Sequence, residues 1–156
     1  MTTATVALYR SSGERGYSPV IREDSRRIVA RKLEREIDVR FTPVAASVAT
    51  QEGVVNARPG DAIVTGIAGE RWRVSRERFA TKYRPVPPTR AGEAGRYVSL
   101  PYEVLALPMV ADFEVLLADG SSRLRGGMGD WLVDYGDGSL GIVAANVFPS
   151  TYEIIG

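Results

Sequence analysis

A chain of 156 residues with 44% hydrophobic and 25% charged side chains has an ordinary globular composition, long enough to bury roughly 70% of the surface its unfolded form exposes. It contains no cysteine, which excludes disulfides, thiolate nucleophiles and sulfur-ligated zinc and is compatible with a reducing cytosol. It contains no histidine, so the side chain most used for acid–base catalysis near neutral pH, also the commonest transition-metal ligand, is missing.

The formal net charge of +1 hides an uneven distribution: residues 1–90 carry 17 Lys/Arg against 10 Asp/Glu, and residues 91–156 carry 3 against 9. Such opposed fields favour packing of the halves on each other, or give the first half an anion-binding face. Almost all its cations are arginine, whose planar fork suits phosphate and carboxylate. The acidic second half argues against nucleic acid as a partner. No apolar run approaches the roughly 20 residues of a membrane span, and MTTATVALYRSSGER lacks the apolar core of a signal peptide. A soluble, cytoplasmic protein is expected, monomeric or homodimeric, with no membrane partner, cofactor or metal.

In chain order, Val6 to Tyr9 reads as an edge strand, followed by the turn-rich SSGERGYSP. From Glu23, EDSRRIVARKLERE places Ile28, Val29 and Leu33 near helical spacing behind Asp24 or Ser25 as an N-cap. The spacing predicts a helix with its charges on an exposed face. Ile37, Val39 and Phe41 alternate with polar residues, the pattern of a half-buried strand. Two runs around Glu52-Gly53 predict a hairpin, and Pro59-Gly60 a second tight turn. Strands at Ala62 to Thr65 and Arg71 to Val74 flank a turn at Gly66 to Gly69, and Ser75 caps a short helix. RPVPPTRAGEAGR, from Arg84 to Arg96, reads as an extended connector.

Gly60 to Tyr83 and Gly129 to Tyr152 align without a gap. They agree at Gly60/Gly129, Asp61/Asp130, Val64/Val133, Gly69/Gly138, Val74/Val143, Phe79/Phe148 and Tyr83/Tyr152. Upstream, Leu33, Ile37 and Val39 match Leu100, Val104 and Ala106 at an offset of 67 residues. The similarity predicts an internal duplication: an N-terminal extension (1–24), a first module (25–84), a linker (85–96) and a second module (97–156). The expected fold is α+β and mostly β, with two similar small modules of short strands, short closing helices and pseudo-twofold symmetry.

The first copy carries EG at Glu52-Gly53, PGD at Pro59 to Asp61, GERW at Gly69 to Trp72, then Phe79 and Tyr83. The second carries LPYEVLALPM from Leu100, GDW at Gly129 to Trp131, YGDG at Tyr135 to Gly138 and FPSTYE from Phe148. These motifs resemble the PGDYG proteins and related small phage and prophage proteins. The sequence departs from their pattern at Met128, Ala62 and Gly141, which occupies the place of Trp72. The resemblance implies fold and class and brings no catalytic residues with it.

Asp61 and Asp130 follow turn glycines, where a carboxylate accepts local N–H groups and fixes the loop. Asp134 and Asp137 occur in the second copy alone, too few oxygens for calcium. Phe79/Tyr83 and Phe148/Tyr152 have the i, i+4 spacing of core-packing pairs. The cluster Glu70-Arg71-Trp72-Arg73 puts two guanidiniums on one side of a strand, with an indole and a carboxylate on the other. The expected function is a non-catalytic binding protein, taking a protein partner or a small anionic ligand near the inter-module seam through Arg71, Trp72, Arg73 and Trp131. The alternative is an enzyme acting on a nucleotide-like anion, with Glu70 or Asp61 as general base.

Overall fold

The computed structural model describes residues 6–50, 52–66 and 68–156. Strands dominate it. Among the described residues the helices are α1 (Pro19–Arg22), α2 (Arg76–Lys82) and α3 (Phe148–Thr151), and none is long and apolar enough to cross a membrane. Ser75 accepts the Arg78 N–H and so caps α2.

The first half supplies β2 (Ile28–Lys32), β3 (Glu36–Phe41), the hairpin β4 (Ala46–Thr50) and β5 (Gly53–Ala57), β6 (Ala62–Thr65), β7 (Arg71–Val74) and β8 (Tyr83–Pro85). The second supplies β9 (Gly95–Ser99), β10 (Glu103–Pro108), the hairpin β11 (Phe113–Leu116) and β12 (Arg123–Gly126), β13 (Trp131–Asp134), β14 (Leu140–Val143) and β15 (Tyr152–Ile154). Two five-stranded antiparallel sheets result, ordered β7-β6-β3-β9-β8 and β14-β13-β10-β2-β15. Their order is the same strand for strand. So is their register: Val39 faces Val64 as Ala106 faces Val133, and Glu36 faces Val98 as Glu103 faces Arg31.

Each sheet takes one strand from the other half of the chain. β2 lies between β10 and β15, and β9 lies between β3 and β8. The two crossings meet at Ser99, whose Oγ donates to the Leu33 carbonyl and accepts from the Arg35 N–H.

The helix expected from Glu23 onward is instead the interior strand β2, with α1 ending before it. Ile28, Val29 and Ala30 read equally well with a period of two, and pairing on both edges outweighs the weak helical propensity of a charged segment. Ala30 and Lys32 consequently face inward and are buried. The connector expected over 84–96 is also corrected. Residues 83–99 form an antiparallel hairpin, Tyr83 opposite Ser99 and Pro85 opposite Tyr97. Its loop is gathered by the buried Tyr97 hydroxyl, which accepts from Gly92 N–H at 3.1 Å and donates to the Glu93 carbonyl at 2.8 Å.

Residues 7–22 are built into the second half. β1 (Ala7–Arg10) runs parallel to β11 at the edge of a three-stranded sheet, and Ile21 is fully buried beside Leu105, Leu107 and Phe113. The first sheet's core contains Ile37, Val39, Val64, Phe79, Tyr83 and Tyr97, and the matching face of the second contains Ala30, Val104, Ala106, Val133, Phe148 and Tyr152. The pairs expected from spacing to pack in the core are buried, and the two rings of each also stack: Phe79 and Tyr83 at 4.7 Å, Phe148 and Tyr152 at 5.1 Å between centroids. Burial of aromatic and branched side chains on a period-two pattern is the main stabilising contribution to such sheets.

Candidate functional site

Both turn aspartates fix loops. Asp61 accepts the N–H groups of Arg58 and Arg76, and Asp130 accepts those of Gly127 and Ala145, at matching positions of the two halves. Asp61 also holds the Arg73 guanidinium at 3.2 Å, so its lone pairs are engaged. Asp134, fully buried, accepts from Ser18 and Gly136. Trp131 is stacked on Phe148 at 4.1 Å and does not reach the cavity described next.

That cavity, of about 160 Å³, lies between the two sheets. Its walls are the edge strands of both sheets, β7 with Glu70, Arg71, Trp72 and Arg73 on one side and β14 on the other. The structure therefore brings four of the six sequence candidates together. The Arg71 guanidinium donates to the Ala49 carbonyl at 3.1 Å and that of Arg73 to the Asn56 carbonyl at 3.2 Å, holding both head groups by one edge over the β4–β5 hairpin. Glu70 is buried and accepts the Ala68 N–H.

Two positions set diagonally across the hairpin exchange a large residue and a glycine between the halves, while the directly paired residues are Val64 with Trp72 and Val133 with Gly141. Trp72 packs close to Gly66 in the first, where an added Cβ would meet the indole and strike the Glu70 carboxylate. At Gly141, the counterpart of Trp72, the space is filled by the Tyr135 ring. Each half thus sends one aromatic ring over a glycine into the cavity, from opposite strands of the hairpin.

Sequence reasoning missed Lys32. It is only 6% exposed, lines the cavity, and lies over the rings of Trp72 (5.5 Å) and Tyr152 (5.0 Å). Among the described residues no hydrogen bond or ion pair holds its ammonium. Burial pulls its pKa down to about 8, against the opposing pull of Glu70. The corresponding residue in the other half is Ser99, in the same register opposite a tyrosine. One signal was available: Lys32 and Lys82 are the only lysines, beside 18 arginines. Lys82 also sits at the seam, over Tyr102 (4.5 Å) and Tyr135 (4.9 Å).

Unlike Lys32, Lys82 has an anion. Asp137 lies 3.1 Å from it and 2.7 Å from Arg78 Nε, joining α2 of the basic half to the β13–β14 turn of the acidic half. The two cations and Ser139 hold the Asp137 carboxyl down to about 2 despite its partial burial. Arg78 also borders the cavity and faces the Tyr135 ring at 5.1 Å. Glu52, on the same wall, is pushed up to about 6 by burial. Burial likewise raises the hydroxyl pKa values of Tyr135 and Tyr152, so both phenols stay protonated donors.

Cations thus outnumber carboxylates around a small aromatic-walled space, and among the described residues Lys32 and Arg71 form no ion pair there. Together fold and site define a β-rich protein with a cationic cavity at the seam between its two five-stranded sheets. The chain matches the PGDYG protein family over residues 53–153 and belongs to it. No curated protein and no solved structure matches it.

Proposed function

We propose that this protein is a non-catalytic binding protein that holds a small anionic ligand in the cavity between its sheets. The observation that carries this reading is Lys32. An ammonium taken out of water costs several kcal/mol, of the order of 3–5 when its partner is absent, and the two ring contacts of Lys32, each worth about 2 kcal/mol when desolvated, offset that cost without supplying a hydrogen-bonded counter-charge. A ligand anion seated beside it removes that deficit. Arg71 and Arg78 add positive charge, and Trp72, Tyr135 and Tyr152 offer flat apolar surface to the rest of the ligand.

Size narrows the class. A cavity of about 160 Å³ is near the roughly 150 Å³ that encloses a benzene-sized guest, and below the roughly 300 Å³ at which pockets begin to bury drug-sized ligands. A small carboxylate or similar oxyanion fits this description better than a whole nucleotide. The equal strand orders and registers support a duplication as part of the same proposal. Fusing two copies places a junction, where concave sites form, inside one chain. A phage or prophage setting is supported by the motif resemblance alone.

The test uses Trp131→Phe, which leaves Trp72 as the single indole. Titration with acetate, oxalate, benzoate and inorganic phosphate should give a saturable change in Trp72 emission with at least one anion. Acetamide and benzamide should give none. At 100 times its dissociation constant the binding anion should stabilise the fold by about 2.7 kcal/mol. The absence of a saturable response to every anion would overturn the proposal.

A further inference from the structure

We propose that Lys32 captures its ligand covalently and reversibly, its ε-amine forming an imine with the carbonyl of a small α-keto or aldehyde carboxylate. The inference rests on the anion-site reading above and adds to it the chemical class of the ligand. A lysine suited to this reaction is desolvated, free of a carboxylate partner and open to a cavity that admits the carbonyl compound. Lys32 meets all three conditions. It is buried, it lines the cavity, and its nitrogen lies over two aromatic faces with no carboxylate in ion-pair contact among the described residues, Glu70 acting on it only from farther off. Lys82 fails the second condition, being tied to Asp137.

The surroundings supply what the reaction needs. The neutral amine nitrogen attacks the carbonyl carbon, the π pair moves to oxygen, and transfer of a proton from nitrogen to that oxygen gives the carbinolamine. Protonation of its hydroxyl expels water, the nitrogen lone pair forms the C=N bond, and the remaining N–H proton returns to the acid. Amine and carbonyl thus become imine and water without oxidant or reductant. Two carboxyl groups line the cavity to relay the protons, Glu52 and Glu70. Glu52, held near 6 by burial, is protonated in a useful fraction of molecules at neutral pH. The ligand's own carboxylate is met by the guanidiniums of Arg71 and Arg78 on the same walls. The depressed basicity of Lys32 leaves part of it as free amine at neutral pH, where an ordinary lysine has almost none.

With two lysines in the chain, the test reads cleanly. The whole protein is incubated with glyoxylate or pyruvate and sodium cyanoborohydride at pH 7.5, and the reduced adduct is located by peptide mass spectrometry. Acetone, which has a carbonyl without a carboxylate, is the control. Labelling should fall on Lys32 and exceed that of Lys82, and of free Nα-acetyl-lysine, by about tenfold or more. Oxalate, which has no reactive carbonyl, should suppress it. Lys82→Arg should retain the adduct, and Lys32→Arg should lose it while retaining the cation.

No adduct, labelling of Lys82 equal to that of Lys32, or a rate equal to free lysine would each overturn the proposal. The anion reading is scored separately, by the Trp72 emission response to oxalate in the Trp131→Phe background. A response without an adduct sinks the imine alone, and loss of the response sinks the anion site as well.

Discussion

At the scale of one residue, Lys32 sets a conflict between stability and function that can be measured. Its folded-state pKa, about 8, lies below the ordinary lysine value of 10.5. Between those values the unfolded chain binds a proton that the folded chain does not, so stability rises with pH. Below pH 8 the folded protein carries the full cost of the buried ammonium. The window closes near pH 10, where unfolded tyrosines ionise while Tyr83, pushed up to about 12 by burial, stays neutral and the sign reverses. Urea midpoints should therefore climb between pH 8 and 10 by the equivalent of about 1–2 kcal/mol. Lys32→Met should remove most of that climb, leaving the part due to Lys82, whose pKa burial also lowers, and should raise stability at pH 7 and abolish the anion response. A fall in stability at pH 7 would show that the two ring contacts outweigh the burial cost, and that Lys32 is a structural cation.

Single elements show what could be read from the chain and what could not. Turns at Pro59-Gly60 and Gly66–Gly69, the Ser75 cap and the alternation of Ile37, Val39 and Phe41 were legible because each is a local signal. β2 was misread because its partners, β10 and β15, lie far away in sequence, and Ile28-Val29-Ala30 suits either period. The site candidates on β7 were legible as a cluster, whereas Lys32 was hidden by the same error that made β2 a helix. The 83–99 hairpin was missed because proline and glycine suggested a linker, while the group that gathers the loop is one hydroxyl, on Tyr97. Tyr97→Phe should consequently cost about 1–2 kcal/mol and expose the Gly92 amide to hydrogen exchange. Unchanged Gly92 protection would show that the loop holds itself, through Thr89 N–H to Val86 and Glu93 N–H to Arg90.

At the scale of the whole molecule, the exchange of β2 and β9 makes the halves interdependent, and this decides how the chain can be divided. A fragment ending at residue 91 keeps β3, β6, β7 and β8 but lacks β9, so β3 loses a neighbour on one side and β8 loses its only partner in the sheet. The fragment from residue 92 lacks β2, which stands between β10 and β15. Each would expose a gap of unpaired backbone in the middle of a sheet, the kind of edge that drives aggregation. The seam adds the Asp137 contacts with Arg78 and Lys82, and Arg125 N–H to the Glu52 carbonyl at 2.8 Å between the two hairpins. Fragments 1–91 and 92–156, expressed separately, should show no cooperative thermal transition. Co-expressed, they should purify as one complex with the sheet signal of the intact chain and with its anion response, since the cavity draws walls from both. A folded 1–91 fragment with its own cooperative transition would show that the first sheet closes without the borrowed strand, and that the exchange is a consequence of the joined chain and not a requirement of the fold.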